Sequence, residues 1–197
     1  MDYPAAKKYM LERLAKDLPA NCFYHDYSHT QQVLAAVDVL AAGESVSDEE
    51  TLNLLRTAAV YHDCGFFEKY QANEPVAARI AADVLPSFGY TEKQIGFIKR
   101  LILVTALGAE PSDIYEQIIK DADFDYLGRD GYLETSFKLK EEWAVVMNVH
   151  YTMKEWYALQ QRFLEGHRFY TGTAKRIRGP VKEKHIELVK ELMTAEK

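Results

Sequence analysis

His62 and Asp63 place an imidazole beside a carboxylate at the end of an apolar helical stretch. Nitrogen and oxygen donors of this kind hold divalent metal ions in hydrolytic sites. Gly65 predicts that the helix ends just after the pair, and the unpaired carbonyl groups of a helix C-terminus favour a bound cation. The dipeptide alone is weak evidence, because a buried histidine usually finds only a hydrogen-bond partner. Other donors must therefore converge on it to form a metal site.

Two further donors, His29 and Asp123, lie on other predicted helices. His29 falls in a first helical turn and begins an apolar stripe, so its side chain is expected to enter the core. Asp123 has the apolar residues Ile119 and Leu127 at helical spacing on either side. Buried carboxylates without partners cost several kcal/mol each, and a shared metal ion would remove that cost. An internal network of His–Asp hydrogen bonds is the alternative.

Three segments follow one another in order: Tyr24-His25-x-x-x-His29-Thr30, His62-Asp63-x-Gly65 and Asp121-Ala122-Asp123. This ordered set resembles the HD superfamily of metal-dependent phosphohydrolases, whose fold is an all-helical bundle. The resemblance spans Tyr24 to about Lys184. It implies that one divalent ion (Mn, Fe, Co, Ni, Zn or Mg) is bound by the motif's four ligands, which map onto His29, His62, Asp63 and Asp123. One ion is expected because the motif supplies no further ligands for a second.

The resemblance also implies an enzyme that hydrolyses a small phosphate ester, a monoester or a diester, of a nucleotide or a related metabolite. The metal would activate the attacking water, Asp63 would contact both, and His25 would protonate the leaving oxygen. One alternative is a non-catalytic signalling module that binds a metal and a nucleotide. The other is an HD-type di-iron oxygenase, which would need additional ligands such as Glu74, His150 or His167.

His25 lies four residues before His29, a spacing at which two histidines of one helix can bind a single ion. Ser28 and Gln31, however, form a capping-box pattern that would start the helix at Ser28 and leave His25 in the preceding loop. In cyclic-nucleotide phosphodiesterases, which are distant HD relatives, the first histidine of a similar element is the general acid, although Asp26 stands here in place of their asparagine. General acid is the preferred role of His25, ahead of loop packing and metal ligation.

Several neighbouring polar residues have less definite roles. Glu74 starts a helix, where an acid commonly interacts with the helix dipole, and its alternative, catalytic role is to orient the attacking water. Asp121, Asp123 and Asp125 are all candidates for the ligand of this helix, and the motif favours Asp123. Asp121 would then support Asp123, and Asp125 would lie on a solvated face. Thr105 is interpreted as a core residue.

A strongly basic segment covers residues 168–184, where six basic residues stand against one acidic residue and give a balance of +5. A solvated helix face is the usual explanation for such a segment. In an acidic chain the imbalance also predicts contacts to the phosphate of a substrate. The candidates for these contacts are Arg168, Lys175, Arg176 and Arg178.

The elements that must position these residues are predicted to be helical throughout: an all-α, HD-domain-like bundle of roughly eight or nine helices, forming one domain over residues 1–197. Val145 to Val149 have strand propensity but lack a partner strand, and they are assigned to a helix. Capping boxes predict four helix starts, at Ser28 with Gln31, Ser47 with Glu50, Thr91 with Gln94 and Thr152 with Glu155.

The composition favours a globular cytoplasmic protein. The 197 residues are 48% hydrophobic and 27% charged, and the longest aliphatic run, Leu101 to Val104, is far too short for a membrane span. The two cysteines, Cys22 and Cys64, have no disulfide spacing and are expected to be reduced. A net charge of -6 argues against general nucleic-acid binding. A small phosphorylated molecule is the expected partner, and the oligomeric state stays open.

Overall fold

The computed structural model describes residues 1–196, and in that part of the chain the predicted all-helical architecture is confirmed, with no strand. Ten α-helices are present, nine of them with seven or more residues, in agreement with the expected eight or nine. Among them, none combines the length and the apolar composition that a membrane-spanning segment needs. The helices are α1 (Tyr3–Asp17), α2 (Tyr27–Gly43), α3 (Glu49–Tyr61), α4 (Glu74–Val84), α5 (Glu92–Leu103), α6 (Ile114–Asp123), α7 (Tyr132–Val146), α8 (Met153–Gly166), α9 (Gly172–Ile177) and α10 (Gly179–Ala195).

Helix starts are set more often by aspartate than the sequence predicted. Asp26 caps α2, and its side chain accepts the backbone N–H of His29 at 2.8 Å. Asp48 caps α3 in the same way. The caps predicted at Ser28 and Ser47 are therefore wrong, because a charged acceptor nearby, two residues before Ser28 and one residue after Ser47, interacts more strongly with the positive N-terminal end. The capping boxes at Thr91 and Thr152 are confirmed.

The assignment of Val145 to Val149 to a helix is wrong beyond Val146, where α7 ends. Asn148 adopts a left-handed conformation with a φ of 54°, and the N–H of Val149 bonds back to the carbonyl oxygen of Trp143 at 3.2 Å. A left-handed asparagine is a common way to terminate a helix, because its short polar side chain tolerates positive φ.

Three helices from distant parts of the sequence pack together around the centre of the molecule: α2, α3 and α6. Their inward faces bury Leu40, Leu55 and Ile118 completely. Helix α5 covers α3 and α4, and α8 packs along α10. The central trio brings three polar segments, namely the start of α2 and the ends of α3 and α6, to one side of the core.

Short 3₁₀ turns follow α3 and α6, at Cys64–Phe67 and Asp125–Gly128. The first turn lies so close to α4 that a Cβ atom at Gly65 would stand 2.0 Å from the carbonyl oxygen of Asn73. Only glycine permits this approach. It fixes the segment after His62 and Asp63 against the start of α4, where Glu74 lies.

Candidate metal centre and active-site cavity

His29, His62 and Asp123 form a compact, largely buried cluster where α2, α3 and α6 meet, and Asp63 lies beside it. His29 Nε2 lies 3.3 Å from His62 Nε2. Asp63 Oδ2 lies 3.1 Å from the His62 nitrogen and 3.4 Å from the His29 nitrogen. Asp123 Oδ1 lies 3.2 Å from His29 Nε2 and 3.5 Å from His62 Nε2. The donor atoms of His29, His62 and Asp123 all lie within 4.8 Å of one another.

The separations among His29, His62 and Asp123 fit a single metal ion, and Asp63 is close enough to both imidazoles to join them. Donors bound at about 2.0–2.2 Å to one ion lie about 2.8–3.6 Å from their neighbours in tetrahedral or octahedral coordination. Asn73 orients the carboxylate of Asp63 by donating a hydrogen bond to its Oδ1 at 3.4 Å. The other oxygen of Asp63, Oδ2, is buried and has no hydrogen-bond partner within residues 1–196. A buried carboxylate oxygen without a partner is unfavourable unless a cation compensates it.

The tautomer of His62 is defined by the backbone. Its Nδ1 lies 2.8 Å from the carbonyl oxygen of Ala59, which can only accept, so Nδ1 carries the proton. In the neutral imidazole, the Nε2 lone pair then points at Asp63, Asp123 and His29. A backbone carbonyl that orients a ligating histidine in this way is typical of metal sites.

The electrostatics of the cluster favour positive charge at its centre. Burial lowers the pKa of His62, but the negative charges of Asp63 and Asp123 outweigh burial and raise the pKa well above its ordinary value. Burial raises the pKa of both carboxylates, yet the charges of the neighbouring imidazoles, and for Asp123 first of all hydrogen bonds with them, bring both pKa values below the ordinary one. The carboxylates thus stabilise a positive charge here, whether a proton on the imidazole or a divalent cation.

His25 precedes α2, as predicted, and packs against Phe66 with ring centroids 4.4 Å apart. Its Nδ1 lies 2.5 Å from Oε1 of Glu142, a fully buried carboxylate of α7. Glu142 also accepts hydrogen bonds from the backbone N–H groups of Tyr24 and His25 and from the Tyr70 hydroxyl. Burial lowers the pKa of His25, but this hydrogen bond and the surrounding carboxylates raise it above its ordinary value.

Sequence reasoning missed Glu142. It follows Lys140 and Glu141 in a charged stretch that reads as a solvent-exposed helix face. Its burial depends on the packing of α7 against the segment before α2, which no local pattern reveals. The one local feature that favours burial of Glu142 is its position directly before the apolar residue Trp143.

A cavity of about 470 Å³ opens beside the cluster. His25, Asp63, Glu74 and Asp123 line it, so the structure brings the predicted catalytic residues and two predicted ligands to one surface. Thr105, expected in the core, is buried and also reaches this wall, where its hydroxyl donates to the Ile102 carbonyl oxygen.

Asp121 and Asp125 do not join the His/Asp cluster and instead form hydrogen bonds or ion pairs with other parts of the fold. Asp121 accepts hydrogen bonds from the backbone N–H groups of Tyr170 and Thr171, and thereby anchors the segment before α9 rather than supporting Asp123. Asp125 is only 4% exposed and pairs with Arg129 and Arg178, so its assignment to a solvated face is wrong. The compact turn after α6 carries it inward.

The four basic candidates do not line the cavity. Arg178 forms an ion pair with Asp125 at 2.7 Å, and Arg168 forms one with Glu110 at 2.9 Å. Lys175 and Arg176 are exposed on α9. The cavity likewise lacks the two histidines of the oxygenase alternative: His150 is exposed, and His167 packs among Phe124, Phe163 and Phe169.

The chain has an HD-like helical fold with a candidate metal centre formed by the His/Asp cluster. No protein-family model matches the chain, and no curated protein does. Similar solved structures nevertheless extend over its whole length. A predicted HD superfamily hydrolase from an uncultured Thermotogales bacterium shares 17% identity over 98% of this chain and 92% of its own, with a TM-score of 0.65.

Two further structures share the fold. Bacillus subtilis YpgQ, solved in complex with ADP, is 14% identical over 98% of this chain and 97% of its own, with a TM-score of 0.68. A structural-genomics target from Lactobacillus plantarum is 18% identical over 99% of this chain and 98% of its own, with a TM-score of 0.69. The architecture is therefore shared along the entire chain, although few residues are identical.

Proposed function

We propose that this protein is a metal-dependent phosphohydrolase that acts on a small phosphate ester. The observation that carries the proposal is the convergence of His29, His62, Asp63 and Asp123 beside a cavity that His25 also lines. The likeness to the fold of a predicted HD hydrolase supports the same reaction class. The ADP bound to YpgQ supports a nucleotide or a related metabolite as the substrate.

The four donors would hold one divalent ion (Mn, Fe, Co, Ni, Zn or Mg), which, when bound, supplies a Lewis acid that neutralises phosphoryl charge and acidifies water. Glu74, on the cavity wall, would accept a hydrogen bond from the attacking water and orient it. The water adds to phosphorus in line with the leaving oxygen, and the bond from phosphorus to that oxygen breaks.

His25 would complete the step as the general acid. With Nδ1 held by Glu142, its Nε2 is the ring nitrogen available to the cavity, and a proton there passes to the leaving oxygen. The raised pKa of His25 suits this role, because the protonated imidazole persists closer to neutral pH. Glu142 would act through His25 as a positioning residue, as an acid orients a histidine in catalytic triads.

The test is phosphate release from nucleotides and simple phosphate esters by the purified protein, with each divalent ion added in turn and bound metal determined by elemental analysis. Turnover that requires the ion and is abolished in Asp63→Ala and His29→Ala is the expected result. A metal-replete sample that releases phosphate from no substrate would instead favour the non-catalytic binding module.

A further inference from the structure

The residues that line the cavity fall into two chemically different groups. One group is polar and consists of His25, Asp63, Glu74 and Asp123. The other comes from α7 and α8, which contribute apolar side chains, among them Leu139, Trp143, Leu159 and Phe163. A ligand with its phosphate at the polar group would therefore bury an apolar or aromatic portion against α7 and α8.

The cavity provides no cationic side chain for additional phosphates: within residues 1–196, three acids line it but no lysine or arginine does. Lys120, Arg162 and Arg168 border a separate cavity, with Phe124 and Phe163 forming part of both walls. Lys120 donates to the carbonyl oxygens of Val104 and Ala106 at 2.9 and 2.6 Å, and Arg168 pairs with Glu110. A second or third phosphate would meet carboxylates or apolar walls and lose its hydration without compensation.

One polar side chain, Gln160, lies among the apolar residues that α7 and α8 contribute to the cavity wall. Gln160 of α8 lines the cavity and is only 4% exposed. Its Oε1 accepts the hydroxyl proton of Tyr132 at 2.7 Å, and Tyr132 is itself buried and stacked between Tyr126 and His185. Because a buried hydroxyl needs an acceptor, this bond fixes the amide and leaves Nε2 to face the cavity, without a protein partner in the described chain. An unpaired donor in an apolar wall selects a ligand that carries an acceptor there.

We infer that the preferred substrate carries a single phosphate and a planar, uncharged ring with a hydrogen-bond acceptor, such as the base of a nucleoside monophosphate, which Gln160 recognises. The inference rests on the proposed phosphohydrolase function and narrows its substrate class. The ring stacks among the side chains of α7 and α8, and a ring nitrogen or carbonyl oxygen accepts from the Gln160 amide.

Matched substrates test the ring and the phosphate number separately. Uridine 5′-monophosphate and adenosine 5′-monophosphate carry a base that ribose 5-phosphate lacks. The corresponding triphosphates carry the same base and additional phosphates. We expect kcat/KM for the monophosphates to exceed that for ribose 5-phosphate, and that for the triphosphates, by at least about tenfold. Equal rates with ribose 5-phosphate, or a preference for triphosphates, would overturn the inference while leaving the phosphohydrolase intact.

Gln160→Leu tests the donor, with Gln161→Leu as the control on the same helix. Gln160→Leu should lower kcat/KM for the nucleoside monophosphates by about tenfold or more and leave ribose 5-phosphate within about twofold, whereas Gln161→Leu should change neither. Calorimetric binding of uridine and adenosine, which requires no turnover, should weaken only in Gln160→Leu. If no ester is hydrolysed, the proposed function fails, and this binding comparison decides the inference alone; unchanged binding in Gln160→Leu would refute it.

Discussion

The imidazole of His25 and the buried carboxylate of Glu142 form a partly buried pair at 2.5 Å, although 117 positions separate them in the chain. The pair joins the loop before α2 to the middle of α7 and orients the histidine toward the cavity. An ionised, fully buried acid at this position stabilises a protonated imidazole more effectively than a neutral acceptor would.

Replacing the acid by its amide tests this relationship. Glu142→Gln keeps the shape and one of the two acceptor oxygens but removes the charge, so kcat should fall by about 10–100-fold. Bound metal, measured by elemental analysis, should stay at the wild-type level. Glu141→Gln, which changes the exposed neighbour, is the control. Unaltered kcat in Glu142→Gln would remove Glu142 from the mechanism.

Proton donation by His25 predicts a dependence on the leaving group. His25→Ala should retain the metal and lose about 10²–10⁴-fold in kcat with a poor leaving group such as an alkyl alcohol. With 4-nitrophenyl phosphate, whose leaving group needs no proton, the loss should be much smaller. Equal losses on both substrates would contradict the general-acid role, and loss of metal would make His25 a ligand.

Metal binding should stabilise the fold through the four clustered donors. Adding the ion at about 100 times its Kd should increase the free energy of unfolding by about 2.7 kcal/mol. The resulting rise in melting temperature, followed by calorimetry, should vanish in Asp123→Asn and His62→Ala. Asp83→Asn alters an exposed acid and should respond like the wild type. A full metal response in Asp123→Asn would exclude it as a ligand.

His167 predicts a loss of stability in mild acid. Burial, followed by the charges of Lys182 and Lys120, lowers its pKa from 6.5 to about 4. Between these two values the unfolded chain binds a proton that the folded protein does not, so the free energy of unfolding falls as the pH drops from 6.5 to about 4. In urea titrations at pH 7.5 and 4.5, His167→Gln should lose less stability than the wild type. His150→Gln is the control, and an identical loss in all three proteins would refute this assignment.

Arg178 should matter for folding rather than for phosphate binding. Removing its guanidinium leaves the buried Asp125 with Arg129 as its remaining ion-pair partner, and Arg178→Ala should lower the free energy of unfolding by about 1–3 kcal/mol. KM should not change, because Arg178 does not line the cavity. Arg168→Ala, at an exposed ion pair, should leave the free energy of unfolding nearly unchanged. A large rise in KM in Arg178→Ala would restore its predicted role as a phosphate contact.

The sequence predicted the helices and the central cluster because both depend on local patterns. Apolar periodicity locates α2, α3 and α6, although the first two begin at other caps than predicted, and the face of each helix then directs His29, His62 and Asp123 inward. The environments of Glu142, Gln160 and Asp125 depend instead on how distant helices pack. A charged residue in a polar stretch has the same local signature whether it is solvated or, like Asp125, enclosed by Arg129 and Arg178.

Gly65 determines how closely the segment after the candidate metal centre packs against the start of α4, which forms part of the cavity wall. The chain after Asp63 touches the start of α4 so closely that a single methyl group would collide with the Asn73 carbonyl oxygen. Any larger residue must push α4 outward, and Asn73, which holds Asp63, and Glu74 would move with it. A substitution two residues after the predicted ligand Asp63 would therefore disturb both the candidate metal centre and the shape of the adjoining cavity. Because glycine has no side chain, this position sets the distance between the candidate metal centre and the cavity wall at the start of α4.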